Sequence, residues 1–170
     1  MTIKKWIDFN EKFYSGNFKS KIGDLLKREV GGRPFFNSLD KLIKEDPDVL
    51  REITKDLENE YLVASGDFGD NLFNLWENKG IKCKGVLVFN GKIVTKKKGI
   101  NYYYPEDFDI DNKEFIFVDD SYFSGRTFRE VEKYLSEEHK SSIKEIRVGY
   151  DGSKEKDPKI KSLYRYYENI

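Results

Sequence analysis

Several residue types are nearly missing from this chain. Of its 170 residues one is cysteine, one is histidine and four are proline, and Ala64 is the sole alanine. A lone cysteine, Cys83, cannot close an intrachain disulfide. No run of about 18 apolar residues is present, which excludes a transmembrane helix. The opening stretch Met1-Thr2-Ile3-Lys4-Lys5-Trp6-Ile7-Asp8 lacks the apolar region of a signal peptide. These absences predict a cytoplasmic protein without a membrane partner. Net charge is missing too: Lys plus Arg and Asp plus Glu stand at 31 each. That removes the basic field of a general nucleic-acid binder, so any phosphate site must be local. The scarcity of alanine, beside abundant Lys, Asn, Ile, Phe and Tyr, reads as a coding bias without functional weight.

The charged fraction is 36% and the aromatic fraction 15%, a composition suited to a soluble domain with an aromatic-rich core. The length suits one globular unit, divided by pattern into a helical N-terminal extension (1–60) packed on an α/β core (61–170). In the extension, Ser38 reads as an N-cap before Leu39, Leu42 and Ile43. Asp46-Pro47 reads as cap plus first helical residue before Val49, Leu50, Ile53 and Leu57. Residues 30–36 break the periodicity as a loop, where Arg33 is a surface charge or a ligand contact.

From Tyr61 onward short apolar runs at 61–64, 85–89, 115–118 and 143–148 alternate with helical stretches that include 72–76 and 131–135. Buried strands separated by long crossovers predict a mostly parallel sheet with helices on both faces. Ligands of such sheets sit beyond the carboxyl ends of the strands, which directs attention to 65–70, the stretch after Phe89, 119–127 and 150–153. The polar stretch 91–113 is too long for an ordinary connection and reads as a lid or a disordered segment.

The informative segment is Glu114-Phe115-Ile116-Phe117-Val118-Asp119-Asp120-Ser121-Tyr122-Phe123-Ser124-Gly125-Arg126-Thr127-Phe128. An apolar strand meets two acids, a short loop and an amphipathic helix. A strand feeding a helix N-terminus offers unpaired N–H groups and a positive dipole end to a phosphate. Gly125 allows close backbone approach, and Ser124 and Thr127 add hydroxyls. Asp119 and Asp120 suit the hydroxyls of a sugar, so diol and phosphate together describe a ribose 5-phosphate. A second account needs no ligand: Ser124 as N-cap with Thr127 three residues on.

Four apolar residues, Asp-Asp, three variable positions and Ser-Gly-x-Thr resemble the phosphoribosyl pyrophosphate (PRPP) motif of the type I phosphoribosyltransferases. The resemblance implies a type I phosphoribosyltransferase-like fold, with Asp119 and Asp120 on the ribose 2- and 3-hydroxyls. It implies further that Ser121, Tyr122, Phe123, Ser124, Gly125, Arg126 and Thr127 wrap the 5-phosphate. It implies Mg²⁺ as cofactor, held indirectly by Asp119 and Asp120 through the diol or water, and a small-molecule partner: PRPP, a nucleotide or a base. A homodimer is compatible with it. The motif is matched strongly, and residues 60 to 150 only by the order of elements. Phe123 stands where purine-specific members carry an acid, which weakens a purine salvage mechanism. Arg126 replaces a frequent small residue and points either to a phosphate or to solvent.

The place of the family's pyrophosphate loop is taken by Ala64-Ser65-Gly66-Asp67-Phe68-Gly69-Asp70-Asn71. Its glycines suit a backbone near oxygen atoms, whereas Asp67 and Asp70 would repel pyrophosphate unless Mg²⁺ bridges them, or simply cap the next helix at Asp70 or Asn71. Lys96, Lys97 and Lys98 fall where the family has its flexible catalytic loop. There they either close over the pyrophosphate, with Lys97 neutralising developing charge, or lie solvated. Tyr102, Tyr103 and Tyr104 stack on a base or pack an edge. Residues 150–153 are placed to floor a base pocket and 163–167 to cover it. His139 reads as a surface residue, Cys83 as a small core residue, and Trp6 and Trp76 as packing. Three functions follow: phosphoribosyl transfer to a nitrogenous base, a non-catalytic nucleotide or sugar-phosphate module on the same fold, and a Mg²⁺-dependent phosphatase. The last lacks the two-apart acids of aspartyl-phosphate enzymes.

Overall fold

The computed structural model describes residues 41, 46–90, 97–98, 102–104 and 109–165. The helix expected after Ser38, the loop around Arg33, Trp6 and Lys96 lie outside the described residues. In chain order the elements are α1 Pro47–Ile53, β1 Tyr61–Ser65, α2 Gly66–Glu77, β2 Gly85–Phe89, β3 Lys97–Lys98, β4 Tyr102–Tyr104, β5 Glu114–Tyr122, α3 Arg126–His139, β6 Ser142–Asp151 and β7 Ile160–Arg165. They build a seven-stranded sheet of order β3-β4-β2-β1-β5-β6-β7. The pairs β2·β1, β1·β5, β5·β6 and β6·β7 are parallel, and β3 and β4 extend one edge in antiparallel fashion. The expected fold class, a mostly parallel sheet with helices on both faces, is the one observed.

Alternation along each strand explains why runs apolar at every position are needed. Leu62, Ala64, Val86, Val88, Ile116 and Val118 join one buried cluster with Val49, Leu50 and Ile53 of α1 and Phe68, Leu72 and Phe73 of α2. Their neighbours Val63, Leu87, Phe115 and Phe117 join the opposite cluster with Phe128, Val131 and Leu135 of α3. Phe115 and Phe117 are fully buried, each contributing roughly 1.5–3 kcal/mol relative to exposure, and the Phe117 ring meets Phe128 edge-on at 5.7 Å. In α3 the apolar positions fall three and four apart and so share one stripe.

The caps follow local chemistry. Asp46 accepts from Asp48 N at 2.9 Å with Pro47 beside it, as its sequence predicts, and Leu57 is buried just beyond the helix. Trp76 donates Nε1–H to Cys83 O at 3.3 Å, and both pack against the first cluster.

One connection is unusual. Parallel neighbours ordinarily need a crossover of about a dozen residues or more, yet residues 152–159 alone join β6 to β7. Because Ile146 pairs Ile160 and Asp151 pairs Arg165, this segment must run back along the sheet before β7 begins. It does so on the α3 side, where Lys159 Nζ sits 5.3 Å from the Phe128 ring centroid and 3.6 Å from Glu132 Oε2.

Candidate functional site

The apolar strand does not stop at its acids. β5 continues through Asp119, Asp120, Ser121 and Tyr122 because β6 keeps pairing with it, Asp119 with Val148, Ser121 with Tyr150 and Tyr122 with Asp151. The strand read from its apolar run as ending at Val118 therefore reaches Tyr122, and the loop before α3 is only residues 123–125. Asp120 is 8% exposed and Asp119 partly buried. Each carboxylate accepts from the next backbone N–H, Asp119 Oδ1 from Asp120 N at 2.8 Å and Asp120 Oδ1 from Ser121 N at 2.9 Å. As strand neighbours the two side chains leave the backbone on opposite sides.

Gly125 ends the loop and is the N-cap of α3, with φ +76° in the left-handed region and no side-chain cap. A Cβ there would strike the Tyr122 hydroxyl and come within 2.8 Å of Tyr122 Cζ. Glycine is thus required twice, by conformation and by space. Ser124 is exposed and is not the cap, contrary to the capping account. Its carbonyl accepts from Arg129 Nη1 at 2.6 Å, which fastens the loop to the first turn of the helix. The first helical bond runs from Arg129 N to Gly125 O at 2.9 Å, so the preceding N–H groups of α3 open outward. Arg126 turns to solvent, 83% exposed, where its Nε lies 3.3 Å from Glu130 Oε1. Thr127 is exposed on the same turn.

Beside this loop lies a cavity of about 780 Å³, lined by Tyr122, Phe123 and Ser124 on one side and by residues 152–158 and Ile160 on the other. The two walls are tied together: Gly152 N donates to Tyr122 O at 2.8 Å, and the Phe123 ring lies 5.5 Å from that of Tyr150. Burial first, then the Asp157 carboxylate, holds the Tyr122 phenol above its ordinary 10.0, so it stays protonated at neutral pH. Beneath the second wall Asp151, 2% exposed, accepts from Ser153 N at 2.9 Å and Ser153 Oγ at 2.6 Å. Its Oδ2 is 3.4 Å from Arg165 Nε, and Arg165 Nη2 donates to the carbonyls of Ser153 at 3.1 Å and Lys154 at 3.4 Å. A buried charge pair thereby shapes the turn into the return segment.

Solved structures similar to the chain are phosphoribosyltransferases. One from Corynebacterium diphtheriae is 16% identical over 85% of this chain and 82% of its own, with a TM-score of 0.46. Orotate phosphoribosyltransferase from Aeropyrum pernix is 15% identical over 84% and 78%, at 0.44. Adenine phosphoribosyltransferase from Thermoanaerobacter pseudethanolicus is 15% identical over 78% and 81%, at 0.39. No protein-family model and no curated protein matches the chain.

At the end of β1 there is no loop. Ser65 is the N-cap of α2 and Gly66, at φ +62°, turns the strand directly into the helix. Asp67 occupies the first turn, while Asp70 and Asn71 lie inside the helix, whose N-cap position is Ser65. Gly69 serves packing, since a Cβ there would come within 2.6 Å of Val88 Cγ1. Both strand-to-helix junctions, at Gly66 and Gly125, stand at the carboxyl ends of the paired strands β1 and β5.

Lys97 and Lys98 form β3, with Lys97 opposite Tyr104 and Lys98 opposite Tyr103, so part of the segment expected to be structureless is an antiparallel addition to the sheet. Tyr102 and Tyr103 pair in turn with Phe89 and Val88. Leu163 packs against the first core cluster, and residues 166–167 lie outside the described residues. His139 is more enclosed than its surface reading, with a side chain 15% exposed and Nδ1 2.7 Å from Asp111 Oδ1. Cys83 is a partly buried core residue, as expected, and burial pushes its thiol up to about 11. Arg129 and Arg165 carry the loops of the site yet escape sequence reasoning. Arg129 had a signal, one turn into a helix whose first turn faces the loop; Arg165 had none, because only the β6–β7 register reveals its partner.

Proposed function

We propose that this chain is a phosphoribosyltransferase-like protein that holds the ribose 5-phosphate part of PRPP or a nucleoside monophosphate at the β5–α3 junction. The observation that carries the reading is the loop 123–125: left-handed at Gly125, bonded to Arg129 through Ser124 O, and opening onto the free N–H groups of α3 directly after Asp119 and Asp120. In this reading the phosphate sits on the α3 N-terminus with Ser124 and Thr127 adding donors. The ribose diol meets Asp119 and Asp120. The helical residues before Tyr61 belong to an extension packed on the 61–170 core, and the protein acts in the cytoplasm.

Among the described residues no three or more acids, histidines or cysteines are grouped to hold a metal ion. Mg²⁺ ordinarily takes one or two carboxylates plus substrate phosphates, so here it would enter with a pyrophosphate-bearing ligand. The oxygens of Asp119 and Asp120 would reach it through the diol or water, and the ion would neutralise charge on the departing pyrophosphate. Lys97 is the candidate for a second positive charge, and Ser65, Gly66 and Asp67, with Lys96 and Lys98, border the pyrophosphate half.

Transfer would break the ribose C1–oxygen bond to pyrophosphate and form a bond from C1 to a ring nitrogen of a base. A second reading, a non-catalytic nucleotide or sugar-phosphate module, is favoured by one observation. The first turn of α2, where pyrophosphate would bind, starts straight from β1 and carries Asp67, a charge that repels an anion at that helix end.

Titration with PRPP, ribose 5-phosphate and nucleoside monophosphates, with and without Mg²⁺, tests the common part. A ligand of the native state raises Tm, and the double replacement Asp119→Asn, Asp120→Asn abolishes the rise. No rise with any of these ligands refutes the assignment. Pyrophosphate release from PRPP in the presence of bases separates transfer from mere binding.

A further inference from the structure

Among the described residues Phe123 is the exposed large hydrophobic side chain, with 54% of its surface in water. Isolated exposed apolar residues are commonplace; this one is also fixed in place. One side of its ring rests on Tyr150 at 5.5 Å and 47°. Its edge fits over Gly152, where an added Cβ would come within 2.6 Å of Phe123 Cδ1. The Gly152 N to Tyr122 O bond of 2.8 Å holds the two chain segments at that spacing. The remainder of the ring faces the 780 Å³ cavity, a volume in the range of small-molecule sites and ample for a nucleobase.

We propose that Phe123 is a stacking platform for the planar heteroaromatic ring of a nucleotide whose ribose phosphate lies in the adjoining cradle, an inference that rests on the reading above. Phe123 directly precedes Ser124 and Gly125 in the same loop, so platform and cradle are set by one backbone. A nucleoside monophosphate has its ring and its phosphate on either side of one ribose, which matches this adjacency. Because the ring is already held by Tyr150 and Gly152, little conformational freedom is lost on binding. A phenyl group has no proton to give or take at neutral pH, so its contribution is to affinity alone. Stacking uses the π-face that every base possesses, so the platform separates nucleotides from plain sugar phosphates more than it separates one base from another.

Calorimetric titration of the intact chain and of Phe123→Ala and Phe123→Trp with ribose 5-phosphate, adenosine monophosphate and uridine monophosphate tests this. The wild-type protein is expected to bind both nucleotides roughly five- to a hundredfold more tightly than ribose 5-phosphate. F123A weakens both nucleotides by a factor clearly larger than any it causes for ribose 5-phosphate and so removes their preference, while F123W keeps it. Since the side chain is more than half exposed, Tm of F123A should match wild type, which separates lost stacking from lost folding. An unchanged preference in F123A, or an equal loss for all three ligands, overturns the platform. If ribose 5-phosphate fails to bind while the nucleotides bind and weaken in F123A, the cradle falls and the platform stands. Absence of binding by all three overturns both.

Discussion

Replacing Asp151 by Asn keeps the shape of the side chain and removes its charge from beneath the cavity wall. Asp151 is 2% exposed and the Arg165 side chain 10%, so the pair belongs to the class whose members leave a buried, poorly solvated ion when one partner is lost. Such a loss costs about 3–5 kcal/mol. Arg165 would still donate to the carbonyls of Ser153 and Lys154, and an amide oxygen can still accept from Ser153, which places Asp151→Asn near the lower end, about 3 kcal/mol. For a domain of this size that corresponds to a fall in Tm of about 6–12 °C. Arg165→Met should cost at least as much, because it strands the carboxylate. The double variant should lose clearly less than the sum, as neither ion then remains buried alone. Circular dichroism melts of the four proteins complete the cycle. Additivity within about 0.5 kcal/mol would refute the claim that the two charges depend on each other.

Three further outcomes are expected. Gly125→Ala must adopt a left-handed φ and push the Tyr122 ring aside, so thermal melts should show a loss of about 1–3 kcal/mol together with weaker ligand-induced stabilisation. Burial drives the Glu145 carboxyl upward, but hydrogen bonds from Lys161 at 2.5 Å and Arg147 at 3.0 Å outweigh it and hold the group below its ordinary 4.5. A group depressed in the folded state stabilises above its unfolded value and loses that effect as pH falls through the folded one. Glu145→Gln should therefore be less stable by roughly 1–2 kcal/mol at pH 7, with the difference from wild type closing below pH 4.5 in pH-dependent denaturant melts. Cys83, with its thiol at about 11, should be about 0.1% thiolate at pH 8 and react slowly with iodoacetamide; labelling in the native state as fast as in denaturant would contradict its burial.

The strands of the sheet interior were legible because both their faces are covered, which forces apolar residues at every position from Phe115 to Val118 and from Gly85 to Phe89. The helices on either side announced themselves by their stripes. What escaped was set by partners distant in sequence. β5 runs on through Asp119 to Tyr122 because β6 supplies its ladder, and nothing in Asp-Asp-Ser-Tyr foretells that. Gly66 to Asp70 has the composition of a loop, yet a helix forms because Phe68, Leu72 and Phe73 find the core. β7, with lysine and serine among its apolar residues, is exposed enough at the edge to need no apolar run. Of the candidate site, the acids and the glycine were readable as chemistry, whereas the second wall of the cavity depends on a return segment whose course follows from the β6–β7 register alone.

The position of β1 at the middle of the sheet bears on how the chain is made. Its neighbours are β2, which follows soon after, and β5, whose first residue is Glu114. Val63, fully buried in the finished fold, needs Phe115, Phe117 and α3 to cover it. At roughly 5–20 residues per second, a ribosome would take several seconds to deliver them. Throughout that interval the face of β1 and β2 that carries Val63 and Leu87 lacks these partners, so the yield of this protein in a cell should depend on temperature and on chaperones that bind extended hydrophobic segments.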